Sequence, residues 1–186
     1  MAVTIDATVG GASANSYLTL SDANDLVEAM VLSTDAAKWD SGTDDNRNRA
    51  LATATQRIDR ERFLGARADN DQALQWPRDG VRKPDTYQRT YTTGFPFRLT
   101  EDYFTTEEIP DQIKRATVVL AVYLHNNVDG LELSGLEDFK NLQVGSVNIT
   151  PNFYGAVGAD RIPPMVERYL IGLRISGPGN ISVKRS

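Results

Sequence analysis

The clearest clue to the fold is Ile109-Pro110-Asp111-Gln112-Ile113-Lys114-Arg115-Ala116-Thr117-Val118-Val119-Leu120-Ala121-Val122-Tyr123-Leu124-His125-Asn126-Asn127. Pro110 suits a first helical position, where its missing N–H costs nothing, and Asp111 complements the positive end of the helix dipole. Ile113, Ala116, Leu120 and Leu124 recur at three- and four-residue spacing and lay one apolar stripe along a helix. Val118, Val119 and Val122 make much of the opposite face apolar too. A helix with so little polar face is covered on several sides, by its own chain or by a neighbouring subunit. Thr117-Val118-Val119 is β-branched and by itself favours a strand. The Pro–Asp start and the length of the run decide for helix.

The elements around this helix read as follows. Ser21 is a candidate N-cap for a helix to about Leu32, with Asp22 and Asp25 in its first turn and Ala23, Leu26, Ala29 and Met30 as its apolar face. An acidic connector follows around Trp39–Asp45. Its Asp40, Asp44 and Asp45 lack the Gly and Glu that a calcium loop requires, so N-capping is the better use of these carboxylates. A second helix is expected from about Asn46 to Leu64, with Leu51, Ala54, Thr55 and Ile58 inward and Gly65 as the residue that closes it. Arg47, Arg57, Arg60 and Arg62 flank it among Asp59 and Glu61, the pattern of a solvated, salt-bridged face.

Trp76-Pro77 reads as extended and Asp79-Gly80 as a turn. Residues 81–108 show no sustained periodicity and are expected to form a long irregular loop; its aromatics, Tyr87, Tyr91, Phe95, Phe97, Tyr103 and Phe104, suit an interface or a folded-back lid. Val144, Val147 and Ile149, with Gly145 between them, predict a bulged strand, paired within 142–157 to a partner near Phe153–Val157. Pro163-Pro164 opens a last helix, Met165–Leu173, with Val166, Tyr169, Leu170 and Leu173 inward. Residues 174–186 contain Gly177-Pro178-Gly179, three cations and no acid, and are expected to form a flexible tail. The fold class expected is therefore mainly α: one domain over 1–173, a small helical bundle around a central buried helix, with a minor β-hairpin.

The chain has 186 residues, no cysteine and a formal net charge of −5. That length buries a sizeable core, and a chain without thiols suits a reducing compartment. MAVTIDATVG lacks the basic start and apolar run of a signal peptide, and no apolar run is long enough to span a bilayer, so neither secretion nor a membrane partner is expected. An acidic balance is the wrong electrostatic footprint for non-specific nucleic-acid binding.

Catalytic equipment is sparse. The only histidine, His125, falls near the end of the central helix, where it complements the dipole. No Gly-x-Ser-x-Gly elbow or phosphate-binding glycine loop is present, and no carboxylates stand as a recognisable catalytic pair. No enzyme activity, cofactor or metal is expected.

Four features nonetheless fall in a familiar order. They are Asn15-Ser16-Tyr17-Leu18 with Leu20-Ser21-Asp22-Ala23, the helix Ala50–Asp59, Gln75-Trp76-Pro77-Arg78, and Ile109-Pro110 with Ile113, Lys114 and Ala116. The ordered set resembles the head–tail connector (adaptor) proteins of tailed bacteriophages, over about residues 14–124, with a looser match at Val144-Gly145 and Pro163–Leu173. Members of that family are often labelled DnaT-like single-stranded-DNA-binding proteins. The segment between Trp76 and Ile109 is longer than is usual among them.

The resemblance implies a structural virion protein of the phage neck, made in the host cytoplasm. Its copies form a ring, typically dodecameric, with the portal protein above and the tail or tail-terminator protein below, and genomic double-stranded DNA passes through without specific binding. A closed ring needs two different complementary faces on each subunit. The expected subunit interface draws on Val118, Val119 and Val122 of the central helix, Val144, Val147 and Ile149 of the hairpin, and Tyr91, Phe95 and Phe97 of the loop. Ile181, Val183, Lys184 and Arg185 of the tail are the candidate portal-docking strand. The alternative is a single-stranded-DNA-binding replication accessory, which would use the loop aromatics with Arg82, Lys83, Arg89 and Arg98.

Overall fold

A computed structural model describes residues 3–30, 34–92, 95–126, 142–144, 147–149 and 162–175; for 85–92, 95–101, 142–144 and 147–149 it describes the backbone alone. The elements in order are helices α1 (Leu20–Glu28), α2 (Thr34–Asp40) and α3 (Asp44–Asp59), short strands β1 (Ala66–Arg67) and β2 (Arg78–Asp79), long strands β3 (Arg82–Thr92) and β4 (Phe95–Tyr103), helix α4 (Asp111–Asn126), strands β5 (Leu142–Val144) and β6 (Val147–Ile149), and helix α5 (Pro164–Glu167), which continues as a 3-10 turn over Arg168–Leu170. The fold is mainly α, and the long helix α4 stands at its centre.

Ile113, Ala116, Thr117, Val118, Leu120, Ala121, Val122 and Leu124 of α4 are all buried, so it is wrapped on most sides by its own chain. α3 gives it Ala50, Leu51, Ala54, Thr55 and Ile58, one stripe at helical spacing. Each fully buried Leu, Ile or Val is worth about 1.5–3 kcal/mol, so the α3–α4 contact contributes substantially to stability. Thr117 can sit in this core because its hydroxyl donates to the Ile113 carbonyl at 2.8 Å. α2 packs on the far end of α4 through the fully buried Trp39, whose ring meets His125 edge-on at 5.4 Å. The link from α2 to α3 passes so close that a Cβ on Gly42 would collide with His125 Nε2.

Helix ends differ from the sequence expectation where a side chain outbids it. α1 starts two residues earlier than Ser21 implies. Thr19 Oγ1 accepts the Asp22 N–H at 3.1 Å while Asp22 Oδ2 accepts the Thr19 N–H at 3.2 Å, a reciprocal capping box. α3 is capped by Thr43, and the adjacent Asp44 and Asp45 pair with Arg47 at 2.7 Å and Arg49 at 2.9 Å. Nor does α3 reach Leu64. The chain leaves the helix after Asp59 because Arg62 and Leu64 bond to the last described segment, with Leu64 N–H to Leu173 O at 2.9 Å and Ile175 N–H to Arg62 O at 2.7 Å. The connector expected around Trp39–Asp45 is in its first part the helix α2.

The largest correction concerns residues 81–108. They are not an irregular loop: β3 and β4 pair antiparallel, with Arg82 opposite Tyr103, Tyr87 opposite Glu101, Arg89 opposite Leu99 and Thr92 opposite Phe95. The register shifts between Arg82 and Tyr87 and again between Thr90 and Thr92, which removes the strict alternation that announces a strand. Pro84 and Pro96 further disguise the two runs. Val144, Val147 and Ile149 also depart from the expected single bulged strand: Val144 of β5 pairs with Val147 of β6, and Leu142 with Ile149, antiparallel. The partner expected near Phe153–Val157 lies outside the described residues. In the last helix Val166, Leu170 and Leu173 are buried as expected, but the α turn gives way to 3-10 geometry after Glu167.

Candidate functional site

Three of the four sequence signatures, spread over about 60 residues from Asn15 to Arg78, converge on one largely buried cluster. Tyr17 Oη donates to Asp59 Oδ1 at the end of α3, and the same oxygen accepts the Gln75 N–H at 2.8 Å. Trp76, 1% exposed, lies edge-on to Phe63 at 5.7 Å and to Phe104 at 5.9 Å, and the Trp76–Pro77 bond is cis. Gln72 holds this turn from inside: its Nε2 donates to Leu74 O at 2.6 Å and Pro77 O at 3.1 Å, and its Oε1 accepts the Asp69 N–H at 2.9 Å. Asn15 ties the N-terminal segment together, accepting the Asp6 N–H and donating to Thr4 O, both at 2.9 Å.

Arg78 is the keystone of the cluster. Its Nε donates to Leu64 O at 2.7 Å, Nη2 to Gly65 O at 2.7 Å and Phe63 O at 3.4 Å, and Nη1 to Gln75 Oε1 at 2.8 Å and Gln75 O at 3.2 Å. Those five acceptors match the five donors of a guanidinium. The residue is only 6% exposed. Burial pushes its pKa down and that of the Asp59 carboxyl up, while burial and the neighbouring Asp59 charge hold the Tyr17 phenol well above its ordinary range. This arrangement stabilises a turn. The one cation of the Gln75–Arg78 signature has no donor left for a phosphate.

Two outer features remain. A groove of about 580 Å³ runs between the N-terminal segment, α1 and the start of α4. Tyr17, Leu18, Leu26 and Ile109 form its apolar part, and Asp22, Asp25, Glu107, Glu108 and Asp111 outnumber Lys114 and Arg115 around it. Phosphate would be repelled there. The second feature is the β3–β4 ribbon, anchored at its base by the buried Val81 and Phe104, whose N–H donates to Val81 O at 2.9 Å. Lys83 lies over the Phe104 ring at 5.4 Å and pairs with Glu108 at 3.2 Å and Asp102 at 4.0 Å.

Val118 and Val122 are buried within the chain's own core and Val119 is half-buried, so of these three only Val119 has surface that a second subunit could touch. Tyr91 lies in β3, and Phe95 and Phe97 in β4; Val144, Val147 and Ile149 lie in the β5–β6 hairpin. The expected interface residues thus lie on three separate parts of the fold: α4, the β3–β4 ribbon and the β5–β6 hairpin. Ile181, Val183, Lys184 and Arg185 lie outside the described residues. Among the described residues no group of three or more His, Asp or Glu side chains could hold a metal, and no helix is long and apolar enough to cross a membrane. Reading by sequence missed the joint roles of Tyr17, Asp59 and Arg78. The dense Gln75-Trp76-Pro77-Arg78 run marked the place without revealing the partners.

The fold and site define a mainly helical protein whose signature residues serve as an internal scaffold, with a long β-ribbon and an acidic groove on the outside. The chain belongs to the family described as "Putative DnaT-like ssDNA binding protein", which it matches over residues 1–185. No curated protein and no solved structure matches it.

Proposed function

We propose that this protein is a structural connector of a tailed-phage neck, whose copies assemble into a ring beneath the portal, with DNA passing through and the tail attached below. The observation that carries this reading is the β3–β4 ribbon. With eleven residues in β3, it is about 35 Å long. Among the described residues each of its strands pairs only with the other. A two-stranded ribbon is marginally stable alone, and its open edges are templates for another chain. A head-to-tail ring supplies a neighbour to each subunit. The acidic groove and the net charge of −5 suit a channel lining that DNA slides past.

A second reading is single-stranded-DNA binding, and the family's description favours it. Arg82, Lys83, Arg89 and Arg98 fall on the same ribbon as Tyr87, Tyr91, Phe95 and Phe97, the residue types of a stacking platform. One pair of measurements separates the two. The connector reading expects rings in negative-stain images of the protein mixed with portal, and weak, non-saturating anisotropy with single-stranded oligonucleotides at physiological salt. Tight, salt-sensitive binding that is lost when the four cations are neutralised, with no ring on the portal, would replace the first reading by the second.

A further inference from the structure

One bond beside the Arg78 scaffold stands open to solvent. Asp79 and Gly80 are both exposed, between the buried Trp76, Pro77 and Arg78 on one side and the buried Val81 on the other. The Gly80 N–H donates to Asp79 Oδ1 at 2.8 Å, so the carboxyl lies against the nitrogen of its own following peptide bond. A Cβ on Gly80 would meet nothing within 4 Å, so no side chain shields that side of the turn. No other described aspartate is followed by glycine.

We propose that Asp79–Gly80 is a site at which the folded chain converts its own backbone to isoaspartate. The Gly80 nitrogen attacks Cγ of the protonated Asp79 carboxyl. An N–Cγ bond forms, and the carboxyl hydroxyl leaves with the amide proton as water, closing a five-membered succinimide. Holding nitrogen and carboxyl together is what makes such a ring closure fast. Water then adds back at either imide carbonyl. Opening at Cγ restores aspartate; opening at the Asp79 main-chain carbonyl breaks the original peptide bond and leaves the chain running through Cβ and Cγ. The water lost is regained, and neither mass nor net charge changes.

The position gives this change its effect. In the product the main chain is one atom longer between Arg78 and Gly80, and the Asp79 main-chain carbonyl has become a free carboxylate. That carbonyl packs against Gly65, where there is no room even for a methyl, and Asp79 pairs with Ala66 across β1 and β2. Gly65 O is also an acceptor of Arg78 Nη2, at 2.7 Å. Next along the chain, the buried Val81 anchors the ribbon through the Phe104 N–H at 2.9 Å. A bulkier, charged group at the Gly65 contact separates these segments, so converted chains lose part of the Arg78 network and unfold more easily. The inference does not depend on the connector reading.

The test is warm ageing of the folded full chain, followed by peptide mapping with electron-transfer fragmentation, which distinguishes isoaspartate at 79 from any at Asp129–Gly130. Wild type should accumulate isoaspartate at 79 and become a methyl acceptor for a protein isoaspartyl methyltransferase. Gly80→Ala, whose methyl crowds the attacking nitrogen, should convert about tenfold more slowly. Asp79→Glu keeps the charge but would need a six-membered ring, and should not convert measurably. Pulse proteolysis of the aged wild type over a urea series should remove converted chains at lower urea than unconverted chains in the same sample. Four results overturn the inference: no isoaspartate at 79 in the folded chain, its formation only after unfolding in urea, an equal rate in Gly80→Ala, or converted chains that survive to the same urea concentration as the rest.

Discussion

Arg78→Met tests whether the signature arginine is scaffold or surface. The substitution keeps most of the side-chain volume and removes every donor, leaving the carbonyls of Phe63, Leu64 and Gly65 and the side chain of Gln75 without the guanidinium that they share. A hydrogen bond from a charged group nets about 1.5–3 kcal/mol, and removing one member of a buried charged network costs about 3–5 kcal/mol, so the five bonds do not simply add. We expect a loss of about 4 kcal/mol. For a chain of this length that is a fall of about 8–16 °C in Tm. Arg78→Lys should recover only part of it, because an ammonium cannot reproduce the planar fork. Urea unfolding followed by tryptophan fluorescence is the natural assay, since Trp76 precedes Arg78 and packs on Phe63 and Phe104. Coincident wild-type and Arg78→Met midpoints with equal slopes would refute the scaffold argument. So would a variant that is fully stable yet loses affinity for single-stranded DNA.

Gly65→Ala and Gly80→Ala form a matched pair, since both glycines have positive φ, 70° and 71°. A Cβ on Gly65 would strike the Asp79 carbonyl oxygen and come within 2.8 Å of Val81 Cγ2, whereas one on Gly80 meets nothing within 4 Å. Thermal unfolding should show a loss of about 2–4 kcal/mol at Gly65 and about 1 kcal/mol at Gly80; equal losses would mean that backbone strain alone matters. Asp59→Asn is expected to alter the pH dependence of stability. Burial raises the Asp59 pKa in the folded state above the ordinary 3.8, so the folded protein holds a proton that the unfolded chain releases, and stability falls as pH rises from 3.8 through the raised value. Unfolding free energies measured between about pH 4 and 6 should show this decline in wild type and not in Asp59→Asn; parallel profiles would remove Asp59 as its source.

The helices were legible where their signals are local. The stripe Ile113–Ala116–Leu120–Leu124 and the set Leu51–Ala54–Thr55–Ile58 recur at the helical period, and all of these residues are buried. The ends were less legible because several residues compete for each cap. Ser21 and Thr19 are both good N-caps, and only Thr19 has a carboxylate three positions on to return the bond. The β3–β4 ribbon was hidden for a different reason: two register shifts and two prolines broke the alternation by which a strand is recognised.

A mainly α protein built on the Asp111–Asn126 helix, its inward faces, the acidic balance and the place where Trp76-Pro77-Arg78 interrupts the chain can all be read from the sequence alone. These follow from spacing and composition, which act between neighbours. What the interrupting residues do depends on the folded chain. Tyr17 and Asp59 are 42 positions apart, and three of the carbonyls that bind Arg78, those of Phe63, Leu64 and Gly65, belong to the chain leaving α3, 13 to 15 positions earlier. Nothing in the local pattern encodes which distant acceptor a buried donor will find. That pairing is set when the α3–α4 core forms and leaves a buried arginine no water to turn to.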